Sequence, residues 1–499
     1  MKSILDNIKS HDSCNIAIED ENLNLSYGDL YKNVIEVSEI IKSFPSRAIG
    51  IYIDNSALWI IISLAIQNAN KAIVPIPSFF SPQQIKHVIH DCGIDTIITD
   101  RQLVKEQFPP LHNGNDYQWK DKSYFSYRVI DQKQQRCKLD EAISMVTYTS
   151  GSTDQPKGVC LSNESLLAVS ESIANVLNPL SLQRHLCLLP LSTLLENIAG
   201  VWAPFISGST VITRPLHNIG FTTSNNLDPK TFIACINQHQ PDSIILLPEM
   251  LKILVGCAVS SNLLPRSLKF CAVGGAKVNP SLIKHAHNLN IPAYEGYGLS
   301  ECASVVSLNT PSQNKSGTSG KALPHAKIRI SPQNEIEVMG STLNRYLNTN
   351  TCFNDAYFPT GDLGYLDEEG YLVIQGRKKN MFITSYGRQI CPDWIENILT
   401  SHPYISQACI YGEALPHNLC VIVPAHKDVS IDDLEKAINL INNELPDYAR
   451  VNEFITASSA FTPDNRLLNM SGQLNRQQIW ANYIAHFDSN DTNINTYTL

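Results

Sequence analysis

The sequence is short of positive charge, of paired cysteines and of long apolar runs. Lys and Arg number 38 against 47 Asp and Glu, a net charge of -9 over 499 residues. A phosphate backbone needs a basic surface, so no nucleic acid is expected as a partner. One anion-binding pocket remains compatible with that balance. The 13 cysteines are odd in number, irregularly spaced and nowhere form C-x-x-C. They read as free or buried thiols in a reducing compartment, and the same spacing disfavours zinc. The pairs His87/His90 and His285/His287 have no third ligand close in sequence and read as ordinary surface histidines. The longest apolar run, 58–66, falls far short of the roughly 20 residues that span a bilayer. The start, MKSILDNIKSHD, carries charge where a signal peptide needs an apolar stretch. A cytoplasmic location with no transmembrane segment is expected, and a peripheral membrane contact is compatible with it. There is no internal repeat, no low-complexity segment and no Walker A loop.

What is present is a globular composition, 43% hydrophobic and 17% charged, on a chain too long for one ordinary core. The first half alternates apolar strands (48–54, 72–77, 95–100) with helical stretches (56–69, 83–93). This predicts an α/β fold with parallel or mixed sheets and covering helices. The pattern returns at 243–247, 268–275 and 291–298. Residues 100–140 are polar and weakly patterned, and read as surface loop with short elements. From 327 to about 378, short alternating strands with turns at 332–334 and 368–370 predict an antiparallel or barrel-like subdomain. GRKKN (376–380) reads as a connector to a small α+β domain, with strands near 405–411 and 418–424 and helices near 392–400 and 431–444. The expected division is 1–378 for a large domain and 379–499 for a small mobile one, with a disordered polar tail at 488–499.

The run YTSGSTDQPKGV (148–159) gathers Thr149, Ser150, Gly151, Ser152 and Thr153 ahead of Lys157. Hydroxyls and small residues let backbone N–H groups close on an anion, and the lysine adds positive charge. The whole string resembles the phosphate loop of the adenylate-forming superfamily: acyl-CoA synthetases, peptide-synthetase adenylation domains and luciferases. Five further segments resemble that superfamily's motifs in order: LCLLPLSTLLENIAG (186–200), AVGGAKV (272–278), YEGYGLSECA (294–303), YFPTGDLGYLDEEGYLVIQGRKKN (357–380) and MFITSYGRQICPDWIENIL (381–399). The overall likeness is to long-chain fatty acid acyl-CoA synthetases and extends over essentially the whole chain.

The resemblance implies ATP, Mg²⁺ and CoA, or a carrier-protein phosphopantetheine, as cofactors. A carboxylate is a poor electrophile. The family makes it attack the α-phosphate of ATP, releases pyrophosphate, and passes the acyl group from its adenylate to a thiol. Residues 149–153 and Lys157 would cradle the β- and γ-phosphates. Gly274, Gly275 and Ala276 would pass beneath adenine and substrate, and Tyr297, followed by Gly298, would stack on adenine. Ser300 would touch the α-phosphate and Glu301 would hold Mg²⁺. Asp362 would accept from the ribose hydroxyls with Arg377 in support. Lys379 would sit at the hinge, and Gly387 where the pantetheine arm passes.

One position departs. In FTPDNRLLNMSGQLNRQQI (461–479) the register set by Leu467, Leu468, Leu474 and Arg476 puts Gln473 where the family carries its adenylation lysine. Glutamine donates hydrogen bonds without charge, and loss of one such contact costs ~10²–10³ in rate. Lys378 and Lys379 are both candidates to replace it. The acyl-pocket segment, 190–194, has no carboxylate before Glu196, which favours a fatty or other simple acid over an amino acid. The expected function is an AMP-forming acid–thiol ligase acting on a carboxylic acid. Two alternatives remain: an impaired nucleotide- or adenylate-binding scaffold or sensor, and an adenylating enzyme with another acceptor, an acyl carrier protein among them.

Overall fold

The computed structural model describes residues 3–21, 23–45, 47–100, 111–119, 122–129, 139–149, 156–223, 226–261, 265–349, 356–469, 472–488 and 497–498. Apolar runs bounded by turn residues become the buried strands of two large mixed sheets. The first has nine strands in the order Lys321–Ala322, Ser304–Leu308, Ala293–Leu299, Phe270–Val273, Ser243–Leu246, Arg184–Leu186, Thr210–Ile212, Ile16–Asp20, Leu23–Ser26. From Ala293–Leu299 to Ile16–Asp20 all neighbours are parallel. The second has eight: Arg345–Tyr346, Lys157–Ser162, Ile143–Thr149, Ala72–Pro75, Ala48–Tyr52, Thr96–Thr99, Lys122–Val129, Leu111–Trp119. The run 58–66 forms most of the helix Ala57–Asn68, which is buried on every side and packs against strands of both sheets. Its all-round hydrophobicity is that of a core helix. No described helix is long and apolar enough to cross a membrane.

Two expectations change, and a third is narrowed to one of its two alternatives. Residues 100–140 hold a long antiparallel hairpin, Leu111–Trp119 with Lys122–Val129, laid on Thr96–Thr99. An exposed sheet edge recruits a Tyr- and Phe-rich segment even where polar residues hide the period-2 pattern. The subdomain after 327 is a four-stranded antiparallel sheet, Ala326–Ile330, Glu335–Gly340, Phe358–Leu366, Leu372–Arg377. Its outer strands do not pair among the described residues, so it is open rather than a closed barrel. The tail is not wholly without structure: Tyr497–Thr498 pairs with Val451–Thr456 as an edge strand, by the same backbone logic. Residues 489–496 and 499 lie outside the described residues.

The chain leaves the open sheet at Arg377 and turns through one 3-10 turn, Lys378–Asn380. Beyond it, Ile405–Tyr411, Asn418–Pro424, Val451–Thr456 and Tyr497–Thr498 form the last sheet. Two apolar clusters, around Ile395, Ile410 and Phe454 and around Val421, Phe461 and Ile479, form its core.

Candidate active site

A cavity of about 1130 Å³ takes wall residues from both large sheets and from the C-terminal part of the chain. Lys157, Gly274, Gly275, Tyr297, Gly298, Ser300, Glu301, Arg377, Lys379 and Gln473 all line it. The chain segments that carry them are up to 316 residues apart in sequence, from Lys157 to Gln473. Ala276 follows the two glycines but is not part of the wall. Gly387 sits in the exposed turn between Phe382–Ile383 and Gln389–Ile390, also outside the lining. Thr149 ends its strand opposite Lys157. Its side chain, with Ser150, Gly151, Ser152 and Thr153, lies outside the described residues.

Asp362 is buried just behind the wall, not on it. The Tyr297 hydroxyl donates to its Oδ2 at 2.6 Å, and Arg377 Nε lies 2.8 Å from its Oδ1. Burial raises the Asp362 pKa, opposed by the Arg377 charge and the tyrosine hydrogen bond. Burial, then the adjacent carboxylate, push the Tyr297 hydroxyl well above its ordinary value, so it stays a donor. The tyrosine is pinned by its hydroxyl while its ring remains in the wall. Gly298 is required next to it: a Cβ there would stand 1.7 Å from the Ser304 carbonyl oxygen. On the same turn, Glu301 Oε1 accepts from the Tyr346 hydroxyl at 3.0 Å. One hydrogen bond leaves this carboxylate other lone pairs toward the cavity, a hard oxygen donor of the kind Mg²⁺ takes. The side-chain-free stretch at Gly274 and Gly275, with Lys157 in the same wall, suits a flat base and a phosphate chain.

Residues 9–340 match the family model described as AMP-binding enzyme, and 394–464 match the AMP-binding enzyme C-terminal domain. The chain belongs to the AMP-binding enzyme family. The 2-succinylbenzoate–CoA ligase of Staphylococcus epidermidis is 28% identical over 411 residues, 80% of this chain and 81% of that protein. The long-chain-fatty-acid–CoA ligase FadD15 of Mycobacterium bovis is 26% identical over 431 residues, 72% of this chain and 70% of that one. The structure of O-succinylbenzoate coenzyme A synthetase from Bacillus subtilis with ATP and magnesium ion superposes with a TM-score of 0.75 at 21% identity, covering 96% of this chain and 99% of the other. The superfamily read from the motifs is therefore correct. The finer likeness to long-chain synthetases is a poorer fit than the likeness to 2-succinylbenzoate ligases, which match at higher identity over more of the chain.

In this AMP-binding enzyme Gln473 lines the cavity beside an isolated bridge that pairs Leu468 with Leu474. Asn469 Nδ2 donates to Gln473 Oε1 at 3.2 Å. Three residues on, Arg476 fastens the loop to the helix Pro392–Leu399, bonding Asp393 Oδ1 and Glu396 Oε2, each at 2.6 Å. Asp393 also accepts from the Arg377 backbone N–H at 2.9 Å. Gly376 must be glycine here, because a Cβ would meet Cys391 Sγ at 2.2 Å. One carboxylate thus couples the connector, the helix and the Gln473 loop.

Sequence reading missed this clamp and the Tyr346–Glu301 bond. Acidic residues three apart on one helix face were a visible signal for the first. The second had none, since 45 residues separate its partners. It also missed a buried chain in the wall: His185 Nδ1 lies 2.9 Å from Ser243 Oγ, its Nε2 lies 3.0 Å from Glu196 Oε1, and Leu189 N–H donates to Glu196 Oε2 at 2.8 Å. His185, Cys187 and Glu196 are the one His/Cys/acid group among the described residues whose ligand atoms converge. Their hydrogen bonds satisfy the histidine and the glutamate without a metal. His87 and His287 bond to backbone carbonyls, as surface histidines do.

Proposed function

We propose that this AMP-binding enzyme is an AMP-forming acid–thiol ligase that activates a long-chain carboxylic acid with Mg-ATP and passes it to CoA. The observation that carries the chain length is the course of the cavity. Lining residues lie at or just beyond both ends of three parallel strands: Gln183 and Leu189 flank Arg184–Leu186, Ser243 and Leu247 bound Ser243–Leu246, and Phe270 and Gly274 bound Phe270–Val273. The stretch from Gln183 to Leu189 is roughly six residues of extended chain, about 20 Å at ~3.3 Å per residue. An extended acyl chain, whose C–C bonds of about 1.5 Å advance about 1.3 Å each along the zigzag, fills that length with roughly fifteen carbons. A single aromatic ring with a short acid arm fills less than half of it.

The carboxylate end would lie near Ser300 and Glu301. Ile173, Ala174 and Leu177 from the helix Asn163–Leu177 would flank the apolar tail. When bound, the magnesium ion supplies charge neutralisation at the phosphates, and Glu301 would hold it. Lys157 would bind phosphate, the wall glycines and Tyr297 would take the base, and Asp362, through Arg377 and Tyr297, would fix the ribose side. The carboxylate oxygen bonds to the α-phosphorus as the bond to pyrophosphate breaks. The CoA thiolate then attacks the acyl carbon and AMP leaves. Gly387 would serve that second step after the small domain turns, because in this pose Gln473 faces the cavity instead.

The test is acid-dependent pyrophosphate release, with and without CoA, across acids of 6 to about 18 carbons and 2-succinylbenzoate. Hexadecanoate is expected to exceed 2-succinylbenzoate in kcat/KM by about 10-fold or more. Ala174→Phe is expected to lower hexadecanoate turnover by a similar factor and spare octanoate. Preference for 2-succinylbenzoate, unaltered by Ala174→Phe, would favour the aryl-acid reading that the names of the relatives suggest.

A further inference from the structure

We infer that Lys379 supplies the positive charge between carboxylate and α-phosphate that Gln473 cannot. This rests on the ligase reading above. The first half-reaction forces two anions together, and the neutral amide at 473 leaves their repulsion unscreened. Among the described residues, the cavity wall offers four cations: Lys157, Arg184, Arg377 and Lys379. Arg184 is at the far end, 2.8 Å from Glu19. Arg377 is held by Asp362. Lys157 stands at the end of the phosphate loop, where the leaving pyrophosphate would sit. Lys379 forms no ion pair with any described carboxylate, and it shares the wall with Gln473.

The 3-10 turn at Lys378–Asn380 gives the two adjacent lysines different surroundings. Lys378 Nζ is 2.7 Å from Glu335 Oε2 and is not part of the wall. Lys379 is the one on the cavity side. Desolvation, then the nearby Arg377 charge, lower its pKa, with Asp393 and Asp362 opposing. Asp393 and Asp362 are already bonded to Arg476 and Arg377. A bound anion would relieve this unmatched charge. The flexible four-carbon stem lets the ammonium follow both oxygens. The step itself moves no proton: the carboxylate oxygen gains a bond to phosphorus and pyrophosphate leaves with the bonding pair.

The experiment compares acid-dependent ATP–pyrophosphate exchange in the natural full-length protein, Lys379→Gln, Gln473→Lys and the double variant, with Lys378→Gln as control. Thioester formation from synthetic hexadecanoyl-adenylate and CoA is measured in parallel. Lys379→Gln is expected to lose ~10²–10³ in exchange. Thioester formation from supplied adenylate should stay within about 3-fold, and Gln473→Lys added to Lys379→Gln should restore exchange to within ~10-fold. Lys378→Gln should exchange normally. Exchange retained by Lys379→Gln overturns the inference. So does a loss that position 473 cannot rescue, or one that extends equally to supplied adenylate, which would mark a hinge role. A natural protein without exchange whose Gln473→Lys variant exchanges also overturns it, while leaving the ligase scaffold standing. No exchange in any variant, with every acid tried, removes the ligase reading as well.

Discussion

Replacing Glu295 by glutamine is expected to abolish a pH dependence of stability that the natural protein carries between about pH 4.5 and 7. Glu295 lies in the strand Ala293–Leu299, buried, with its Oε1 accepting from Ser319 Oγ at 2.9 Å. Burial pushes its carboxyl up to about 7 from 4.5, against the pull of the Ser319 hydrogen bond and the Lys277 charge. The difference of 2.5 pH units, at about 1.4 kcal/mol per unit, is about 3 kcal/mol. The sign follows from proton counting. Between the two values the unfolded chain has released this proton and the folded chain holds it, so unfolding becomes easier as pH rises. The stabilisation is complete below about 4.5, declines by up to about 1.4 kcal/mol per unit, and is gone above 7. Glutamine keeps the shape and the acceptor for Ser319 but does not titrate. Urea unfolding of both proteins from pH 4.5 to 8 should show the variant gaining about 3 kcal/mol on the natural protein, a midpoint difference of about 1 M. A gap that stays constant with pH refutes the reasoning. A gap that opens toward low pH does so too, and would mean that Lys277 holds Glu295 ionised in the fold.

Further substitutions probe the clamp and the cavity wall at Tyr297. Arg476→Met leaves Glu396 buried without its cation and should cost about 3–5 kcal/mol, seen as a lower urea midpoint. Adding Glu396→Gln should recover much of that loss, and equal stability of the natural protein and Arg476→Met would refute the clamp. Asp362→Asn removes the charge that holds Arg377 and the Tyr297 hydroxyl. A charged hydrogen bond is worth about 1.5–3 kcal/mol, so ATP affinity measured by calorimetry should fall about 10- to 100-fold. Tyr297→Phe should cost less, about 1 kcal/mol, and an unchanged affinity in Asp362→Asn would argue against the ribose-side role proposed for it.

The alternation of apolar runs and helices was legible because burial on both faces gives parallel strands a near-continuous hydrophobic composition. The motifs were legible for a different reason: phosphate, metal and ribose each need particular side chains at fixed local spacing. Tyr297 illustrates where that stops. Its presence in the wall follows from the motif, whereas its hydroxyl bond to Asp362 joins residues 65 apart. The hairpin at 111–129 and the strand Tyr497–Thr498 were hidden because backbone pairing at a sheet edge leaves little trace in side-chain pattern.

By itself the sequence determined the family and the alternation of apolar strands and helices in its first half, and it raised the question of a glutamine at 473. Only the tertiary structure decided which of two adjacent lysines faces the cavity and which strands run along its wall. It alone revealed that Asp393 ties the connector to the Gln473 loop through Arg476. Local spacing encodes local geometry; a charge's partner and a cavity's wall depend on how distant segments pack, and packing is a property of the folded whole.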